Sequence, residues 1–113
     1  MDDRRKHPRV PLISIARLTR QGLQEATTVL VRDISTHGLG IYSEEAYQNG
    51  DLVLIEFSLT AGDETVSESI MGEVVWIAPL PDKAHHAVGI RFDRMMEEKP
   101  KLYAHIKHLE EIG

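Results

Sequence analysis

The sequence predicts an all-β domain with one C-terminal helix, its antiparallel sheet closed into a barrel or sandwich. Three observations carry this. Six short runs rich in Val, Ile, Leu and Thr alternate with turn residues at regular intervals. From Pro100 onward the apolar period changes from two to three and four. The chain has 113 residues and no cysteine, enough for one domain that buries a core without disulfides or thiolate metal sites.

The first two runs, 10–20 (VPLISIARLTR) and 25–34 (EATTVLVRDI), flank QGLQ, where Gly22 favours a tight turn, so they form a hairpin. Ile13, Ile15 and Arg17 begin an imperfect period-two pattern in the first. Residues 39–43 (LGIYS) are a short third strand, and the NGD turn at 49–51 introduces a fourth at 52–60 (LVLIEFSLT). AGDE turns into a fifth, 66–78 (VSESIMGEVVWIA), long enough to bend at Gly72; Trp76 in it reads as a core residue and a fluorescence reporter. After PLPDKAHH, residues 87–92 (AVGIRF) are the sixth. Pro100 suits the first turn of a helix, and Leu102, Ile106, Leu109 and Ile112 form one apolar stripe, predicting a cap over about 100–112 that covers an open end or face of the sheet.

Charge is unevenly placed. The net charge is −5, yet four of the six residues from Arg4 to Arg9 are Arg or Lys, and ten acidic residues with no Lys or Arg fall between Asp33 and Asp82. A nucleic-acid binder spreads its cations over many phosphate contacts, whereas one basic patch beside an acidic body suits a small anion. The charged N-terminus is unlike a signal peptide, and no apolar run approaches the ~20 residues of a membrane helix. A cytoplasmic protein with no membrane insertion is expected.

A turn centred on Gln21 and Gly22 would pair residues whose numbers sum to about 43, placing Val10 opposite Asp33 and Arg9 opposite Ile34. The basic stretch RRKHPR and the segment DISTHG then emerge at the same end of the barrel. Pro8 and Pro11 keep the entry extended, so residues 1–9 are expected to be a flexible arm able to fold over the barrel mouth, with 10–113 as the domain proper. Asp33 supplies a carboxylate able to accept two N–H bonds, and Ser35 a short hydroxyl. Gly38 supplies freedom to adopt positive φ in the turn. The guanine edge carrying N1–H and the exocyclic amine is such a paired donor, and arginines bind phosphate by forks and stack on purines. Turn capping is the plainer role for Asp33 and Ser35, and the two roles coexist.

These residues resemble PilZ domains, bacterial receptors for the second messenger cyclic di-GMP. Arg5 to Arg9 matches their RxxxR motif, and Asp33, Ser35 and Gly38 match [D/N]xSxxG, with NGD, GEVVWI, VGIRF and the C-terminal helix following in the family's order. The resemblance implies a six-stranded antiparallel β-barrel that binds cyclic di-GMP through Arg5, Arg9, Asp33, Ser35 and Gly38, without catalysis. It further implies that Arg4, just before RxxxR, favours cyclic di-GMP bound as an intercalated dimer. Lys6, His7 and His37 lie inside the motifs and are candidates for secondary ligand contacts. Ligand would order the arm and change a surface read by an unidentified downstream protein.

The competing classes have less support. No nucleophile–base arrangement or phosphate-gripping loop ending in Lys-Ser/Thr is visible, so no enzyme is expected. His85 and His86 are adjacent in sequence and His105 and His108 sit at i, i+3 on the polar side of the helix, but no carboxylate spacing completes a metal site, and no cofactor is expected. An oligonucleotide-binding barrel would need exposed aromatics along a basic groove, and only 5% of residues are aromatic. A protein-interaction barrel with little or no nucleotide affinity is the remaining alternative.

Overall fold

A computed structural model describes residues 10–61, 63–92 and 95–112. Six antiparallel strands, β1 (Val10–Arg20), β2 (Thr27–Ser35), β3 (Gly38–Ser43), β4 (Leu52–Ala61), β5 (Glu64–Pro79) and β6 (His86–Phe92), are followed by helices α1 (Met95–Glu98) and α2 (Pro100–Ile112). The strands close a barrel in the order β1-β2-β3-β6-β5-β4. The expected barrel, its six strands and the helix starting at Pro100 are all present; the short α1 was not foreseen.

Alternation builds the core. Val29 and Val31 from β2, Leu39 and Ile41 from β3, Val53 and Ile55 from β4, and Val88 and Ile90 from β6 all point inward and are buried. Each such side chain contributes roughly 1.5–3 kcal/mol on burial. In β1 the inward residues are Ala16 and Leu18, so Ile15 lies on the outer wall, 63% exposed. Gly72 pairs with Val53 of β4 and with Phe92 of β6, marking where β5 passes from one neighbour to the other. A Cβ there would press on Ile90 Cγ2 and Ile55 Cδ1.

Helix α2 inserts Leu102 and Ile106, both fully buried, into the same core, so the expected cap is a plug. Its last turn is tied to the β2–β3 turn: Thr36 N–H donates to Glu110 Oε2 at 3.2 Å. No helix among the described residues is long and apolar enough to cross a membrane.

The register of the first hairpin differs from the expected one. Val10 pairs with Ile34 and Pro11 with Asp33, one residue off, and the pairing near the turn is Leu18 with Thr27. The turn does lie at Arg20–Leu23, with Leu23 N–H donating to the Arg20 carbonyl at 3.0 Å and Gly22 at φ 89°. Beyond Leu18, however, β1 leaves β2 and follows β4, up to Arg20 opposite Val53. The loop is therefore wider than a two-residue hairpin, and a bulge between Pro11 and Ser14 removes part of the offset.

Candidate functional site

Strict alternation would send Arg32 and Asp33 to opposite faces. A bulge in β2 prevents this: Val31 pairs with Ile41 and Asp33 with Gly40, leaving Arg32 as an extra residue. Val31 and Ile34 both point inward, and the two residues between them project from the outer wall. A second bulge lies across the sheet in β5, where Val74 pairs with Ile90 and Trp76 with Gly89, and Val75 is extra. Trp76 is consequently 37% exposed. The expectation of a core tryptophan is corrected, because the bulge carries the indole to the outside.

Between the two bulges run β3 and β6, with Gly40 and Gly89 paired. Neither presents a side chain, and the wall is flat enough there for groups from both flanks to lie across it. The Arg32 guanidinium carbon stands 5.6 Å from the Tyr42 ring centroid and 5.6 Å from that of Trp76, within cation–π range of both. Trp76 lies over Gly89. Asp33, only 15% exposed, accepts Gly40 N–H at Oδ1 (3.1 Å) and Arg32 Nε–H at Oδ2 (3.0 Å). The result is a carboxylate with two oriented oxygens beside two aromatic faces.

Ser35 is buried at the end of β2. Its hydroxyl donates to the Gly38 carbonyl at 3.4 Å and accepts His37 N–H at 3.2 Å, the capping role weighed above for this turn. Gly38 is a glycine for a different reason than expected. It does not adopt positive φ. A Cβ there would collide with the Ile90 carbonyl oxygen of β6, so close strand approach excludes a side chain. His37 is exposed, with Nδ1 3.0 Å from Thr36 Oγ1.

Asp33, Ser35, His37 and Gly38 are thus brought together around one turn. Arg4, Arg5, Lys6, His7 and Arg9, with the whole expected arm, lie outside the described residues. The chain enters β1 beside the site, since Val10 pairs with Ile34, the residue after Asp33. Asp33 projects from the outer wall, and the expected fold of the arm over the barrel mouth lies outside the described residues. Grooves of about 540 Å³ near Ile15 and Arg17, and about 740 Å³ between Thr65 and His105, lie elsewhere. Arg32, Tyr42 and Trp76 were not singled out as site residues from the sequence. The available signal was the three-residue step between core positions, Val31 to Ile34 and Val74 to Ile77, which breaks a two-residue period.

Of the histidines, His85 lies apart from this face. His85 sits in the β5–β6 loop, 2.7 Å from Asp82 Oδ2 and 3.6 Å from Glu44 Oε1. Among the described residues no three potential ligands converge as a metal site.

Comparison with known proteins agrees with this fold. The PilZ domain family model matches residues 3–109. The chain belongs to the PilZ domain family. Among solved structures, it resembles the Bacillus subtilis inhibitor of motility MotI/DgrA with a TM-score of 0.80 at 14% identity, over 98% of this chain and 52% of that one. The PilZ domain of YcgR from Escherichia coli, solved with c-di-GMP, gives a TM-score of 0.69 at 16% identity, over 97% of this chain and 94% of that one. The K. pneumonia MrkH–c-di-GMP complex gives 0.67 at 15%, over 96% and 51%. This chain spans about half the length of MotI/DgrA and MrkH. At such identities the likeness establishes the fold. No curated protein sequence matches the chain significantly.

Proposed function

We propose that this PilZ domain is a bacterial, cytoplasmic receptor for cyclic di-GMP that binds the dinucleotide without turning it over. The observation that carries the reading is the outward, bulge-presented Asp33 carboxylate, fixed at one oxygen by Gly40 N–H and lying one residue from the entry of the chain that bears Arg5 and Arg9. Guanine presents N1–H and its amino group as a parallel pair, which a carboxylate accepts with two oxygens. Two PilZ-fold neighbours were solved with cyclic di-GMP bound, which supports the same ligand here.

In this reading Asp33 takes one guanine edge, while Arg5 and Arg9 take the phosphates, with Arg4 accommodating a second, intercalated molecule. Lys6, His7 and His37 make secondary contacts. A flat wall encloses a ligand poorly, so a second element has to close over it. The basic segment ahead of Val10 starts beside Ile34 and would be drawn across the wall by the phosphates. The surface so changed is read by a downstream protein.

Calorimetric titration of the purified protein with cyclic di-GMP, beside single-stranded DNA and with chromatography of the nucleotide afterwards, tests this. Saturable binding of the intact dinucleotide alone is expected. Absence of binding would leave the protein-interaction barrel as the better reading, and hydrolysed dinucleotide would make the chain an enzyme.

A further inference from the structure

We propose that Arg32 is a built-in competitor for the guanine subsite, a residue that sets affinity by occupying Asp33 and the aromatic faces until ligand displaces it; this rests on the receptor reading. The observation is that one side chain engages every feature a guanine would use. Its Nε–H donates to Asp33 Oδ2 at 3.0 Å. Its guanidinium is within cation–π distance of Tyr42 and Trp76. Its Nη2 hangs over Gly40, 2.5 Å from where a side chain there would begin.

The chemistry makes the substitution close. The N1–C2–N2 edge of guanine is itself a guanidine-like fragment, planar, with parallel N–H bonds, and the purine behind it stacks on aromatic rings as a guanidinium does. Arg32 is therefore a mimic of the base. The β2 bulge puts it beside Asp33 on the same face, where alternation would have separated them. Asp33 Oδ1 retains acceptor capacity beside its bond from Gly40 N–H, and Oδ2 is the oxygen that guanine contests with Arg32.

Competition of this kind favours a ligand that brings phosphates as well as guanine. A base alone replaces the Arg32 Nε–H bond and ring contacts with its own and gains little, whereas cyclic di-GMP adds the phosphate contacts of the arm. Arg32 thus raises the threshold for every guanine ligand, and a dinucleotide that adds phosphate contacts clears it where a mononucleotide does not. The displaced guanidinium remains near a dianion, which offsets part of the competition.

The test is calorimetry with cyclic di-GMP and with GMP on wild type, Arg32→Gln, Arg32→Lys, Asp33→Ala and Arg32→Gln/Asp33→Ala, at low and high salt. Arg32→Gln removes the charged fork and should bind cyclic di-GMP about three- to tenfold more tightly, the size expected when a partly exposed charge-assisted bond no longer has to break. Its gain for GMP should be at least as large. The difference from wild type should shrink in high salt, because the Arg32–Asp33 pair is partly exposed. Arg32→Lys keeps the charge without the planar fork and should also tighten binding, which covers the case that the Gln variant folds poorly. In the Asp33→Ala background, Arg32→Gln should bring no gain. Unchanged or weaker binding in both Arg32 variants overturns the competitor role and leaves the receptor standing. Absence of cyclic di-GMP binding by every protein in the series overturns both.

Discussion

Gly40 and Gly89 face each other across β3 and β6, and the space outside each is taken by a neighbour, Arg32 over Gly40 and Trp76 over Gly89. The pair differs from Gly38, where the obstacle is the Ile90 backbone carbonyl. A side chain can rotate away and a strand cannot. Gly38→Ala should therefore cost about 1–3 kcal/mol through forced strand separation, lowering the melting temperature by roughly 5 to 15 °C. Gly89→Ala should melt much closer to wild type while shifting the emission of Trp76, the sole tryptophan. Thermal denaturation and fluorescence on the two variants check this, and equal melting losses would contradict it.

The motif residues yield a second prediction. Charge-assisted hydrogen bonds contribute about 1.5–3 kcal/mol each, so Arg5→Ala, Arg9→Ala and Asp33→Ala should each weaken cyclic di-GMP binding by about one to three orders of magnitude. Asp33→Ala also removes the acceptor of Gly40 N–H and should lower the melting temperature. Wild-type affinity in Arg9→Ala would mean the arm is not part of the site.

Specificity follows from the same carboxylate. The corresponding edge of adenine lacks the paired donors, so displacing Arg32 from Asp33 Oδ2 without replacing its bond costs about 1–3 kcal/mol. Cyclic di-AMP should be excluded, and GTP should bind poorly because it does not reach both motifs. Competition against labelled cyclic di-GMP measures this; comparable affinity for cyclic di-AMP would remove the guanine-edge role.

Much of the barrel was legible because buried strands write themselves as alternation, as in Leu39, Ile41 and Ser43 against Gly40 and Tyr42. The C-terminal helix was legible from the stripe containing Leu102 and Ile106. What alternation could not show was its own interruption. The bulges at Arg32 and Val75 put consecutive residues on one face, so Arg32 and Trp76 joined the candidate site unannounced, and the wider loop shifted the hairpin register, with the bulge after Pro11 taking back part of the shift. Gly38 was identified correctly as a required glycine, but for φ, because a close approach to Ile90 is a tertiary fact that local sequence does not encode.

The β5–β6 loop carries a pH response. Asp82 is held below its ordinary 3.8 by Ala84 N–H, the His85 ring and His85 N–H, and His85 is raised above its ordinary 6.5 by its bond to Asp82, with Glu44 adding to the effect. The His85 contribution is present in full below about 6.5 and is lost as pH rises through its raised folded value; that of Asp82 is present above about 3.8 and is lost as pH falls through its lowered one. The loop should be held best between these limits. An NMR titration should put the His85 midpoint above 6.5, and Asp82→Asn should bring it down. An unaltered midpoint in that variant would mean the contact does not persist in solution.

Stoichiometry tests Arg4. An intercalated pair of cyclic di-GMP molecules presents four phosphates and further guanine faces, so it needs more positive charge and another stacking group than one molecule does. Arg4 supplies both beside Arg5, and Lys6 adds charge; no Lys or Arg follows between Asp33 and Asp82 to substitute for them. Two molecules per chain are expected at moderate salt. Arg4→Leu, with Arg5 and Arg9 intact, should change the ratio towards one, and high salt should do the same in wild type as the Coulomb attraction is screened. Native mass spectrometry, or calorimetry with an independently calibrated active concentration, separates the cases. A ratio of one in wild type, unchanged in Arg4→Leu, would place Arg4 outside the ligand and leave a single cyclic di-GMP held by Arg5, Arg9 and Asp33.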